Sequence, residues 1–402
     1  MKRLSEKAKN AVFIGTLCSV SYFAVYIARN ILSAVTPQMV EGGYSEDYIG
    51  LVSSAFFICY AVGQLINGLI GDKIHAKWMI CTGLFGAGVA NIAFMYTVPH
   101  KFVALSAYAL VGFFLSMIYG PMTKVVSENT EPIHAARCSL GYTFASFFGT
   151  PAAGFLASFL VWQSVFKVSS SVLFVMAALG FVIFSLFERR GIIKYGVYKK
   201  ETGGVKNVKV LIKRSIIKFS LVSILTGIVR TSVVFWLPTY ISQYLSFSPK
   251  SSARIYTAAS IAISLTAFIA VFVYEKIFKH NMNRTLFASF TSSAIFFALT
   301  FLVKIPILNI AFITLAIMSS NSAATMLWSI YCPSLRDTGM VSMATGFLDF
   351  LSYMAAALAN VLFASAITDI GWGNLILVWA SLTAVGALIA FPYKSRKMKQ
   401  TA

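Results

Sequence analysis

The sequence predicts an all-α membrane protein: twelve transmembrane helices arranged as two pseudo-symmetric six-helix bundles. Three observations lead there. Hydrophobic residues make up 58% of the 402 residues and charged residues only 11%, where a soluble domain has roughly a quarter charged. Twelve apolar runs are each long enough to cross the ~30 Å hydrocarbon core, which takes ~20 helical residues. The two halves of the chain also repeat one pattern around a single arginine. This composition leaves too little polar side chain to cover soluble domains, and it excludes disorder, a disulfide scaffold and an ordinary soluble enzyme.

In chain order the apolar runs fall near 11–36, 49–71, 78–98, 102–123, 138–161, 166–187, 216–244, 252–274, 285–303, 306–330, 340–366 and 373–392. The fifth and sixth, and the ninth and tenth, are separated by very short turns. The amino-terminal run has no small-residue cleavage site, so it reads as an uncleaved first helix. Net charge is +20, from 33 Lys and Arg against 13 Asp and Glu. The basic residues crowd into the first ten residues, the stretch 188–218 and the tail from Lys394, whereas loop 41–48 carries Glu41, Glu46 and Asp47. Topogenic charge of this kind faces the cytoplasm. An even number of spans then places both termini and the central loop on that side of a bacterial-type plasma membrane. The expected organisation is an amino-terminal bundle 1–187, a basic cytoplasmic loop 188–215 containing Gly203 and Gly204, and a carboxy-terminal bundle 216–402. The basic loop could also hold anionic membrane lipid. No basic stretch is interleaved with aromatics, so nucleic acid is not an expected partner. The chain is expected to act as a monomer.

The repeat carries the candidate site. Span 1 contains Arg29 with Pro37 eight residues later, and span 7 contains Arg230 with Pro238 eight residues later. Some 43 residues past Arg29 comes Asp72-Lys73, and 45 past Arg230 comes Glu275-Lys276. Repeated halves with a midplane site are the plan of secondary transporters. Each arginine is at least twelve residues from the nearest other charge in its span, about 18 Å along a helix, so neither reaches an interface by snorkelling. An intramembrane arginine faces a partner or an aqueous cavity. The only deep acid is Asp349 in span 11, and one acid cannot neutralise two arginines, which leaves positive charge for a bound anion. The planar fork of a guanidinium matches phosphate or carboxylate bidentately.

Weaker candidates surround that pair. Tyr22 and Tyr26 share a helix face with Arg29, and Tyr60 and Gln64 form another i, i+4 pair in span 2. Each reads either as a ligand contact or as interhelical packing. Asn30 either donates to the ligand or ties helices together. Asp349 could pair with an arginine, carry a proton or satisfy nearby donors. The short loop G-L-I-G-D-K-I-H-A-K, with Gly68, Asp72, Lys73 and Lys77, suits a cytoplasmic gate or a generic tight turn. Gly149-Thr-Pro151-Ala-Ala-Gly154 in span 5 suits close packing and a bend. The five cysteines, Cys18, Cys59, Cys81, Cys138 and Cys332, have neither metal nor disulfide spacing. The histidines His75, His100, His134 and His280 fall in predicted loops. There is no phosphate-loop lysine for ATP, no metal site, and no expected cofactor or enzymatic activity.

The twelve spans, the central loop and the G-x2-G-D-K-x3-K loop resemble the major facilitator superfamily over nearly the whole chain. Y-x3-Y-x2-R-N in span 1 paired with R-x5-W-x-P-T-Y in span 7 is similar to the organophosphate:phosphate antiporters. The resemblance implies that Arg29 and Arg230 bind a phosphoryl group, supported by Tyr22, Tyr26 and Tyr60, and that transport proceeds by alternating access. Departures from the glycerol-phosphate pattern are Asn30 and Gln64 where basic residues stand, Phe235 where an acid stands, and Ala145 or Ser146 in place of a histidine. Basic and acidic members are lost together, consistent with removal of an ion pair. The expected function is exchange of a small anionic substrate, a phosphorylated organic metabolite, for inorganic phosphate. The alternatives are a carboxylate (hexuronate-type) symporter and a non-transporting sugar-phosphate sensor of the same fold.

Overall fold

The computed structural model describes residues 5–70, 74–195, 208–335 and 341–392. Among the described residues twelve long helices follow one another: α1 Glu6–Glu41, α2 Glu46–Ile70, α3 Ala76–Thr97, α4 Lys101–Asn129, α5 Pro132–Phe159, α6 Trp162–Arg189, α7 Ile216–Gln243, α8 Pro249–Ile277, α9 Met282–Leu302, α10 Pro306–Ser334, α11 Val341–Asp369 and α12 Gly371–Ala390. A short helix, Val208–Lys213, precedes α7 within the basic stretch. Among the described residues, eleven of these helices are long and apolar enough to cross a membrane, and α5 adds the shorter apolar stretch Phe147–Phe159.

Most helices overrun the apolar runs by a turn, because polar residues continue the backbone ladder beyond the hydrocarbon. Their starts follow ordinary capping chemistry. The Ser5 and Ser248 hydroxyls accept from the amides of Ala8 and Ser251, and Pro132, Pro249 and Pro306 occupy first-turn positions that need no amide donor. His134 therefore lies in the first turn of α5 rather than in a loop. Buried hydroxyls donate to carbonyls one turn back, as Ser21 does to Leu17, Thr36 to Leu32 and Thr226 to Val222. In a membrane interior this is how a small polar side chain is satisfied without water.

The packing pattern repeats with a shift of six helices. In the first half α1 packs on α5, α2 on α4, and α3 on α4 and α6. In the second, α7 packs on α11, α8 on α10, and α9 on α10 and α12. The halves meet along α2 with α11 and α5 with α8, which exchange places under the same shift. Small residues allow these approaches. A Cβ on Gly50 would lie 2.6 Å from Ala364 Cβ, and one on Gly154 would lie 2.5 Å from Thr257 Oγ1.

The halves are tied at the end of the molecule opposite the chain termini. Ser365 donates to Asp47 at 3.0 Å, Asn360 to Ser53 at 2.9 Å, and Gln243 to Glu46 while accepting from Trp372 Nε1. Ser33 in α1 donates to the Phe235 carbonyl of α7 at 2.7 Å. At the other end, Lys77 belongs to a cluster within the first half. Its ammonium meets Glu188 at 2.6 Å, Tyr195 donates to the other Glu188 oxygen at 2.8 Å, and His75 stacks on Tyr195 with ring centroids 4.2 Å apart. Burial, and then the bond to Glu188, push the Tyr195 hydroxyl above its usual range. Of the expected gating loop, Gly68 lies inside α2, Lys77 is engaged by its own half, and Asp72 and Lys73 lie outside the described residues.

Candidate functional site

α1 and α7, which meet at Ser33 and Phe235, bring both arginines to a polar cavity near the middle of the bundle. Part of it, about 200 Å³, is lined by Arg29, Asn30, Ser33, Thr150, Arg230 and Asn321, among others. A second part, about 380 Å³, is lined by Tyr22, Tyr26, Tyr60, Gln64, Arg230, Trp328, Thr345, Asp349 and Tyr353, with Tyr119 and Tyr142 completing its aromatic wall. Arg230 and Tyr26 border both parts. All eight substrate residues expected from the sequence therefore meet at this one place.

Local structure explains how each arrives. On α1, Tyr22, Tyr26, Arg29 and Ser33 follow the three- and four-residue spacing of one face. On α2, Tyr60 and Gln64 do the same, and on α11 so do Thr345, Asp349 and Tyr353. Arg230 is presented differently. It sits in a wide, π-type turn, Ile228–Val233, inside α7. A second such turn, Met326–Tyr331 in α10, carries Trp328. The Arg230 guanidinium carbon lies 5.9 Å from the Trp328 ring. Wide turns of this kind shift the register of the side chains that follow and recur at functional sites.

The two arginines have unlike surroundings. Arg29 donates from Nη1 to the Tyr353 hydroxyl at 3.0 Å. Its guanidinium carbon lies 4.8 Å from the Tyr353 ring centre, 5.0 Å from Tyr60 and 5.6 Å from both Tyr26 and Phe57. Such ring faces attract a cation by up to about 2 kcal/mol when water is excluded. They hold the charge without neutralising it. Among the described residues neither Arg29 nor Arg230 has a carboxylate within 4.0 Å, whereas Lys7 pairs with Glu131 and Lys77 with Glu188. Asp349 stands in the field of both guanidiniums without closing a pair with either. Asn30 donates to the Tyr26 carbonyl of its own helix at 2.7 Å, which fixes its amide and leaves its oxygen as the group offered to the cavity.

Sequence reasoning missed Tyr353, Phe57, Trp328, Tyr119, Tyr142 and Thr345. Thr345 and Tyr353 could have been found, because they flank Asp349 at four-residue spacing on either side. Trp328 had no such signal, since its position depends on the π-type turn in α10.

The comparisons agree with this geometry. The chain is 20% identical to the glycerol-3-phosphate transporter of Bacillus subtilis (strain 168), over 98% of this chain and 94% of that one. It is 21% identical to the membrane sensor protein UhpC of Escherichia coli (strain K12), over 95% and 91%. It is 24% identical to the phosphoglycerate transporter protein of Salmonella typhimurium, over 98% and 89%. Among solved structures, a bacterial homologue of the human lysosomal transporter Spinster, in an inward-facing and unoccupied conformation, superposes with a TM-score of 0.74 at 12% identity, covering 96% of this chain and 97% of that one. The Major Facilitator Superfamily model matches residues 18–359. Twelve helices in two halves related by a shift of six, with a polar cavity between them, are the architecture that this match requires, and the chain is a membrane transporter of the Major Facilitator Superfamily.

Proposed function

We infer that the protein exchanges a phosphorylated organic metabolite for inorganic phosphate across a bacterial-type plasma membrane. The observation that carries this reading is the pair Arg29 and Arg230, one from each half, bordering one cavity with no carboxylate in ion-pair contact among the described residues. Two unneutralised guanidiniums bordering one cavity repel each other, and an oxyanion between them removes that cost while accepting their forked donors. The relatives named as glycerol-3-phosphate and phosphoglycerate transporters support a phosphoryl ligand.

Bound phosphate also supplies the link to motion. It contacts both halves at once, so it favours whichever geometry brings them together. The ties at Asp47, Ser53 and Glu46 hold one end shut. With the termini in the cytoplasm, that end is the outer one, and this conformation faces inward. Alternating access then requires these bonds to break as the opposite ends close around α2–α11 and α5–α8.

The test is exchange in proteoliposomes loaded with labelled phosphate, driven by external phosphate or phosphate esters. The expected result is ester-dependent efflux that Arg29→Lys and Arg230→Lys each reduce by about 10-fold or more. Wild-type-like exchange by either variant overturns the reading. Tight binding of esters without flux would instead make the protein a sensor.

A further inference from the structure

The cavity holds one group that phosphate binding does not use. Asp349 lines the larger chamber beside Arg230, Gln64, Thr345 and Tyr353, and Tyr22, Tyr119 and Tyr142 line the same chamber. We propose that the organic part of the substrate carries an ammonium group: the ligand is a zwitterionic phosphate monoester, such as an aminoalkyl or amino-sugar phosphate, with its nitrogen held by Asp349 and the tyrosine wall. This rests on the phosphate reading above and adds the substrate class to it.

Charge is the first argument. The two arginines and one aspartate leave the cavity with one net positive formal charge. A phosphate monoester carries about −1.5 to −2 at neutral pH. A neutral polyol ester therefore overshoots the site by roughly half to one charge, and a phosphorylated carboxylate by roughly one more. An ammonium on the ester brings the ligand close to −1, which the cavity balances.

The chemistry of the lining is the second argument. Tyr22 packs against Tyr26, Tyr119 and Tyr142 with ring centres 5.0, 5.4 and 6.4 Å apart. Clustered ring faces beside a carboxylate are the arrangement that attracts an organic cation. The Asp349 carboxylate beside them repels a second anion. Arg29 occupies the adjoining ring cluster of Tyr26, Phe57, Tyr60 and Tyr353, which shares Tyr26 with this one. The faces around Tyr22, Tyr119 and Tyr142 are thus left for the ligand. The third argument is position: Asp349 and Tyr353 lie one turn apart on α11, so the Tyr353 hydroxyl that orients Arg29 also sets the distance between the phosphate end and the acid.

The experiment compares three probes of similar size in phosphate-loaded proteoliposomes: 2-aminoethyl phosphate, glycerol 3-phosphate and 2-phosphoglycolate. Wild-type protein is expected to prefer the amino ester over the carboxylate ester by on the order of 10-fold or more, with the polyol between, as a charge-assisted hydrogen bond implies. The ratio of amino to polyol ester is read within each variant, so that any overall loss of transport cancels. Asp349→Asn is expected to bring that ratio to about one, and Asp349→Glu to keep it above one. A wild-type preference for the polyol or the carboxylate ester overturns the proposal, as does an amino preference that survives in Asp349→Asn. Phosphate exchange with a flat ester ranking overturns this proposal alone. Absence of phosphate exchange overturns the phosphate reading as well.

Discussion

Arg29 and Arg230 occupy matching places in a repeated sequence, yet the protein holds them in opposite ways. Arg29 sits on a continuous helix, donates to Tyr353 and is ringed by four aromatic side chains. Arg230 sits on a π-type turn and approaches one ring, that of Trp328. A repeat preserves the charge at each position, as the proposed anion ligand requires. It does not preserve the cage, because the rings around Arg29 come from a helix of the opposite half as well as its own, whereas the one ring near Arg230 comes from its own half. Tyr353 of α11 reaches Arg29 of α1. Under the proposed function this difference is a division of labour, with Arg29 pre-oriented and Arg230 following the ligand as the halves move.

Substituting the arginines separates these roles most sharply. Arg230→Lys is expected to weaken phosphate exchange by about 100-fold, since a point charge replaces a fork and no aromatic cage positions it. Arg29→Lys is expected to lose about 10- to 30-fold, because the ammonium can still occupy the ring cluster. Equal losses, measured as exchange rates in proteoliposomes, would erase the proposed asymmetry.

Packing at the same level gives a smaller effect. A Cβ on Gly149 of α5 would lie 2.3 Å from Tyr26 Cβ and 3.1 Å from the Tyr26 carbonyl carbon. Gly149→Ala should therefore displace the Arg29 face and cost about 1–2 kcal/mol, as overpacking does. A lowered melting temperature in detergent, with exchange impaired more than in a Gly120→Ala control, checks it. A Cβ on Gly120 meets nothing within 4 Å. Tyr353→Phe keeps the ring and removes one hydrogen bond, so phosphate affinity is expected to fall about 5-fold. A decrease in Arg230→Lys background as large as in wild type would show that Tyr353 acts on Arg29 alone.

The smallest effect lies at the surface. The Lys7 ammonium bonds to Glu131 at 2.9 Å and holds that carboxyl below its usual value, first by the hydrogen bond and then by charge. A depressed acid stabilises the fold above its unfolded pKa and loses that contribution as pH falls through the depressed value. Both side chains are solvent-exposed, so Glu131→Gln should leave the melting temperature nearly unchanged between pH 5 and 8. A clear drop would mean that the α1–α5 ends are coupled to the cavity.

Much of the site was legible before any coordinates. A lone arginine far from other charges has few physical options in a bilayer, and Tyr22, Tyr26, Tyr60 and Gln64 follow from helical spacing around such anchors. Thr345 and Tyr353 lie within reach of the same logic applied to Asp349. The partner of Lys77 was not legible. Lys77 reads as a gating base in the loop motif, yet it pairs with Glu188, 111 residues away along the chain, and no periodicity announces such a contact. The π-type turns were equally silent, because nothing in the composition of Ile228–Val233 or Met326–Tyr331 distinguishes a wide turn from ordinary helix.

Composition and period alone determined that this chain spans a membrane, that it does so in two repeated halves, and that uncompensated positive charge lies at its centre. Those are statements about solvation, and every residue carries its transfer cost with it wherever the chain goes. Tertiary structure decided which rings enclose Arg29, where Asp349 faces and which end of the molecule is tied shut. Those are distances between helices remote in sequence, and they exist only once the packing of small residues such as Gly50 and Gly154 has set how closely the halves can meet.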